Sequence, residues 1–435
     1  MQSVSFPGPH DPEGDPFAEM AEMFARLASS FGGGGAQLNF AQAKQMAASL
    51  ANEGEAEFNV DPMERIQLEQ IARVAELHLT NLTGLSLGTT PLVIDPVTRT
   101  QWTATTLDHY RPLFERLTES LGSIMRQQLD QISPEELEEM GGQLGPFGTD
   151  PSAFLSGMSQ LLGPMMLSMM AGSTVGHLGR RAFGSFDLPI PRPDHGVMIV
   201  VQNVDHFSAD WSLPADDVRL WICVSELAHR AVLGIPHVSA RISDLLARHA
   251  GAFSSDPAIL EDRLGHVDLS SPDGMEELQR LIADPDVVLG AIRSDAQRAL
   301  IVEIDAIVSL VEGYVDWVVD SIGARLLSSA HMVSEALRRR RVETDQASRF
   351  IERLFGLELT QDKLDRGTAF IEGVVARAGD EALGELWREP SALPTVPEMA
   401  APGLWLARMG IDSEDQSLPE LEDMPEIPDF PDLDI

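Results

Sequence analysis

The chain has 435 residues, with Asp+Glu 68 against Lys+Arg 31 and a formal net charge of −37. Length alone allows two or three domains and a sizeable core. The acidity excludes a nucleic-acid binder, which needs a basic face for phosphates, and it excludes docking on an anionic membrane. Cys223 is the one cysteine, so neither an internal disulfide framework nor a multi-cysteine metal site exists. Lys44 and Lys363 are the two lysines, an Arg bias read as GC-rich bacterial coding. The first residues, Met1 to Pro7, show no basic region followed by an apolar run, so a cytoplasmic protein is expected.

Residues 1–36 are rich in Gly, Pro and Asp and read as a mobile N-terminus, with a short amphipathic helix available from Phe17 to Phe31. A helical region is expected over 37–190. Phe40 opens one helix, and Asp61-Pro62 opens another as N-cap and first turn, followed by Ile66, Leu68, Ile71, Val74 and Leu77 as its apolar face. Further helices are expected over Tyr110 to Gln131 and Pro134 to Met140. Residues 151–179 carry no charge and five methionines, yet Pro164, Gly and Ser interrupt them too often for a membrane span. A buried helix with Met as adaptable filler fits them better.

One strand is signalled by Val197-Met198-Ile199-Val200-Val201, after the rigid Pro189 to Pro193 connector. Helical pattern then resumes over Pro214–Leu233, Ile235–Ala250, Ala299–Ser329 and His331 to about Arg388. The fold class is mainly α with a small β-sheet (α+β), with a second domain over 191–410. Arg338 to Arg341 reads as a helix C-terminal cation cluster favourable to the dipole. Trp102, Trp221, Trp317 and Cys223 read as core. No Rossmann glycine pattern, P-loop or Gly-x-Ser-x-Gly elbow occurs.

The chemistry concentrates in Ser225-Glu226-Leu227-Ala228-His229. His-Glu-x-x-His on a helix presents two zinc-binding imidazoles one turn apart with a Glu that activates the metal-bound water. Here Ser225 stands at the first position, and Glu-x-x-His alone is as readily a polar helix face. A later helix places Glu312 and Asp316 on one face, the arrangement expected of a third ligand and an acid supporting a ligating His.

With the run Gly176–Pro189, Asp217–Trp221, Gly234–Val238, Glu312–Tyr314, Arg338–Arg341, Leu354–Leu357 and Leu386–Pro390, the chain resembles the actinobacterial zincin-like metallopeptidase family, labelled hydrolases or zinc-dependent metalloproteases. The resemblance covers roughly residues 37–410. It implies a zincin-like fold with zinc on two His and one Glu. By match, Glu226 takes the general base, His229 the second ligand and Glu312 the third, while Asp316 would orient the residue at 225. Ser225 departs from that pattern. A neutral hydroxyl is a poor zinc ligand, and catalytic zinc keeps three protein ligands and a water. The expectation is a pseudoenzyme that holds zinc weakly or not at all and binds a protein or peptide. The alternative is an active metallohydrolase with an altered ligand set, His206 or His237 standing in. A serine nucleophile at Ser225 is disfavoured, because no oxyanion-stabilising feature is visible.

Residues 411–435 form an acidic, Pro-rich tail. Leu418, Leu421, Met424, Ile427, Phe430 and Leu433 recur every third residue among ten acids. In a polyproline II conformation these would line one edge. The tail reads either as a solubilising segment or as a docking strip for a partner or the chain's own cleft. Leu433, Asp434 and Ile435 would serve as a PDZ-type ligand.

Overall fold

The computed structural model describes residues 39–87, 93–131, 167–192, 196–253, 294–342, 346–357 and 359–411. The Phe17–Phe31 and Pro134–Met140 helices, residues 151–166 and the tail from 412 lie outside them.

The described chain is mostly helical around a two-stranded parallel sheet. Helix α1 (Phe40–Ala51) is capped by Asn39, whose side chain accepts from the Gln42 N–H. Helix α2 (Pro62–Thr83) begins as expected, with Asp61 and Glu64 in a reciprocal capping box and Gly84 left-handed at its end. Its buried face is Leu68, Ala72, Ala75 and Leu79, whereas Ile66, Val74 and Leu77 face outward. Of the expected apolar face, Leu68 and Ile71 pack inward and the other three are corrected to the outer side. Small alanines take the inner side because α2 packs closely on β1 and on the later helix α6.

Strand β1 (Ile94–Val97) pairs in parallel with β2 (Val197–Val200), Ile94 opposite Val197 and Pro96 opposite Ile199. Helix α3 (Arg99–Gln131) starts eleven residues earlier than Tyr110 and runs through Pro112. Helix α4 (167–179) is largely buried, as its lack of charge implies, with Met170 against the core and close glycine packing beside it. Gly172 and Gly176 sit against Ala43 and Ala47 of α1, where an added Cβ would lie within about 3 Å of backbone, and Met169 is exposed. No helix among the described residues is long and apolar enough to cross a membrane.

The strand ends at Val200, and α5 (Val201–Asp210) follows without a turn, a helix that the Val run concealed. Helices α6 (Ala215–Leu233) and α7 (Pro236–Gly251) match expectation within two residues. Helix α8 (Asp295–Leu326) opens on a Ser294–Gln297 capping box. The helical stretch expected from His331 to about Arg388 comprises α9 (Ala330–Val342), α10 (Gln346–Phe355) and α11 (Gln361–Ala378), followed by a 3-10 helix over Asp380–Trp387. Left-handed Gly356 and Gly379 make two of the breaks. Short helices α12 (Val396–Met399) and α13 (Pro402–Met409) close the described chain. Trp102, Trp221 and Cys223 are buried as expected, while Trp317 is half-buried beside Tyr314.

Helices α8 and α11 cross at backbone contact. A Cβ on Gly367 would lie 1.9 Å from the Ser309 carbonyl oxygen, and one on Gly313 2.3 Å from the Gly367 carbonyl carbon. Neither backbone can yield without moving α8, which carries Glu312. Gly367→Ala should therefore lower the urea midpoint by the equivalent of about 3 kcal/mol, the cost of overpacking a closed contact. An unchanged midpoint would show that the crossing has slack.

Candidate functional site

Helix α6 turns Ser225, Glu226 and His229 toward α8, and the three line one cleft of about 110 Å³ together with Glu312. Loop 180–188 forms one wall, α9 another, and Glu352 and Leu359 close the far side. Spacing on two helices thus brings together the residues the sequence singles out.

His229 is 4 % exposed and held at both ring nitrogens. Nδ1 lies 2.9 Å from the Ser225 carbonyl oxygen, one turn back. A carbonyl only accepts, so Nδ1 carries a proton. Nε2 lies 3.2 Å from Glu312 Oε1. Burial disfavours the imidazolium, but the Glu312 carboxylate, its hydrogen bond and Glu226 outweigh burial and raise the His229 pKa. For Glu312 burial is likewise overcome, by His229 and by Arg341, so its carboxyl stays below the usual range. Each shift favours the charged form of its group. The Phe186 ring stacks on the imidazole at 5.9 Å, with 14° between planes.

Asp316 does not serve position 225. Both of its oxygens accept from Arg341, Oδ2 from Nη1 at 2.9 Å and Oδ1 from Nη2 at 3.0 Å, and Arg341 also stands 3.9 Å from Glu312 Oε2. The expected Ser225–Asp316 bond is thus replaced by an ion pair spanning α8 and α9. Arg340 and Arg341 are correspondingly more than a helix-end charge cluster. Both line the cleft, and Arg340 lies over the Phe183 ring at 3.6 Å while donating to the Arg181 carbonyl. Periodicity held no sign of this. The one available signal was an arginine block within the segments that carry the family resemblance.

Glu226 is 5 % exposed beneath the turn at Gly184–Phe186. Its Oε2 accepts the Phe186 N–H at 3.0 Å. A Cβ on Gly184 would stand against the Glu226 carboxyl carbon, so a side chain there would have to displace that carboxyl. The Gly184 carbonyl accepts the Trp102 indole N–H at 2.6 Å, which fixes the turn. Burial pushes Glu226 up to about 7, against the opposing pull of His229, the Phe186 N–H and Arg192.

His206 is exposed on α5, and His237 lines a different cavity with Arg241 and Glu303. Neither lines the cleft. Among the described residues, no group of three His, Cys, Asp or Glu side chains converges as a metal site. His229 is oriented as a ligand would be, with Nδ1–H on a backbone carbonyl, and Glu312 faces it.

A family model described as zincin-like metallopeptidase matches residues 38–406. The chain belongs to that family. A crystal structure from Chloroflexus aurantiacus, described as "a putative hydrolase with a novel fold", is similar in fold to this zincin-like chain, with a TM-score of 0.57 and 22 % identity over 86 % of this chain and 99 % of that one. No curated protein sequence matches.

The raised Glu226 pKa has a stability consequence. The folded state keeps a proton that the unfolded chain releases near 4.5, so stability falls as pH rises from about 4.5 through 7. Glu226→Gln should remove that decline and leave the protein more stable than wild type at pH 8 by on the order of 2–3 kcal/mol. Urea unfolding at pH 5 and pH 8 reads it. A parallel decline in both proteins would place the titration elsewhere.

Proposed function

We propose that this chain is a catalytically degenerate zincin-like protein, a pseudoenzyme that keeps the cleft for binding and works as a binding or scaffold protein. The observation that carries the reading is Ser225 at the first-ligand position, with His229 Nε2 set against Glu312 3.2 Å away. Arg341 supports it further, because a cation beside Glu312 and Asp316 supplies positive charge where a metal would. Zinc is absent or weakly held. The partner is a protein or an extended peptide. Apolar walls from Leu178, Phe186 and Leu188, with Arg181 and Arg340 beside them, suit a chain segment carrying both apolar and acidic side chains. The acidic tail over 411–435 is part of the same proposal, as a docking strip.

A second reading is an active metallohydrolase with Glu226 as general base and a metal on His229, Glu312 and a third group. One observation favours it: the Nδ1–H contact to Ser225 O holds the ring as a metal-bound imidazole is held.

Ser225→His separates the two. If only the first ligand is lost, the variant should bind zinc at least about a hundredfold more tightly than wild type, the range over which ligand-shell changes act. Glu226→Gln in that background should abolish any peptide hydrolysis gained. Equal, tight zinc binding by wild type and variant would overturn the degenerate reading.

A further inference from the structure

Helix α2 carries a second apolar face that the described fold leaves uncovered. Its inner side, from Leu68 to Leu79, is buried on α6 and β1. On the outer side Met63, Ile66, Val74 and Leu77 are 58 %, 48 %, 44 % and 59 % exposed. At 3.6 residues per turn these four and Gln70 fall within an arc of about 80°, along about 21 Å of helix. A helix of a monomer needs one apolar stripe. A second one, interrupted only at Gln70, marks an interaction surface.

The stripe is symmetric in sequence. Ile66 and Val74 stand four residues either side of Gln70, and Met63 and Leu77 stand seven either side. A two-fold axis through Gln70, perpendicular to the helix, therefore lays α2 antiparallel on its own copy. Met63 then meets the partner subunit's Leu77, and Ile66 meets the partner subunit's Val74. The same operation sets Glu69 opposite the partner subunit's Ile71, two residues along the same flank from the partner subunit's Arg73, so the two Glu69–Arg73 pairs lie within reach across the seam. Gln70 falls on the axis itself, where a single polar residue in an apolar seam specifies register.

We propose that α2 is a homodimer interface, an antiparallel helix pair about a two-fold axis at Gln70. Such an interface is isologous, the same patch on both subunits. The occupant is a second copy because the apolar spacing and the charges complement themselves.

Sedimentation velocity of the full chain, from low to high micromolar concentration, tests it. Wild type should dimerise, and Ile66→Glu with Val74→Glu should stay monomeric at every concentration. Both positions are solvent-facing, so a circular dichroism spectrum equal to wild type's is expected. Glu69→Arg should weaken dimerisation roughly tenfold or more by setting arginine against arginine, and adding Arg73→Glu should restore it by re-pairing opposite charges. Gln70→Cys should yield a disulfide-linked dimer under mild oxidation, since Cys223 is buried and does not compete. A wild type that is monomeric throughout would overturn the proposal. So would a dimer indifferent to the paired glutamates, or a charge reversal that the second reversal fails to rescue.

Discussion

The contact between His229 and Glu312 is the constraint around which the centre of this molecule is organised. Both side chains are almost wholly buried, on different helices. An isolated buried charge costs several kcal/mol, so neither helix could bury its member alone. Arg341 adds a second cation beside Glu312 and binds Asp316 one turn along α8. Two basic side chains and two acidic ones thereby meet within a single cluster tying α6, α8 and α9 together.

The surrounding glycines make the cluster rigid. Gly313, next to Glu312, meets Gly367 with no room for a side chain, which sets the depth of α8. Gly184 lets the backbone pass directly over the Glu226 carboxyl, and Phe186 beyond it serves twice, its N–H on Glu226 and its ring on His229. The turn is itself tied to the sheet through Ser185, which accepts from the Met198 N–H, and to α3 through Trp102. The small sheet therefore matters less for its own area than for positioning the loop that covers the acid. The same closeness explains the high pKa of Glu226, which has one backbone donor but little water.

How much of this could be read in the sequence depends on whether a feature was local. Glu226 and His229 share a helix turn and Glu312 lies on a helix with an evident apolar stripe, so spacing alone brought them to one site. The β-branched run at 197 announced its strand. Its partner Ile94-Asp95-Pro96-Val97 was hidden because Asp and Pro are poor strand formers, and the pairing spans about a hundred residues. Helix α5 was masked by the valine that continues the strand pattern into its first turn. On α2, alanine's small side chain concealed the buried face and larger outward residues imitated it. The Asp316–Arg341 pairing is a through-space one: the partner is 25 residues away on another helix, and no period relates them. Arg340 and Arg341 were read by the end of the helix they occupy, when what decides their role is the loop and the acids opposite.

If His229 and Glu312 are joined by a proton and not by a metal, the imidazole nitrogens report it directly. Long-range proton–nitrogen NMR of the labelled full chain, with His229→Gln to assign the signals, resolves the two nitrogens of that ring. Both should appear protonated at neutral pH, and one equivalent of zinc should leave them unchanged. Loss of the Nε2 proton on adding zinc, with the nitrogen moving to a metal-bound position in slow exchange, would contradict the account.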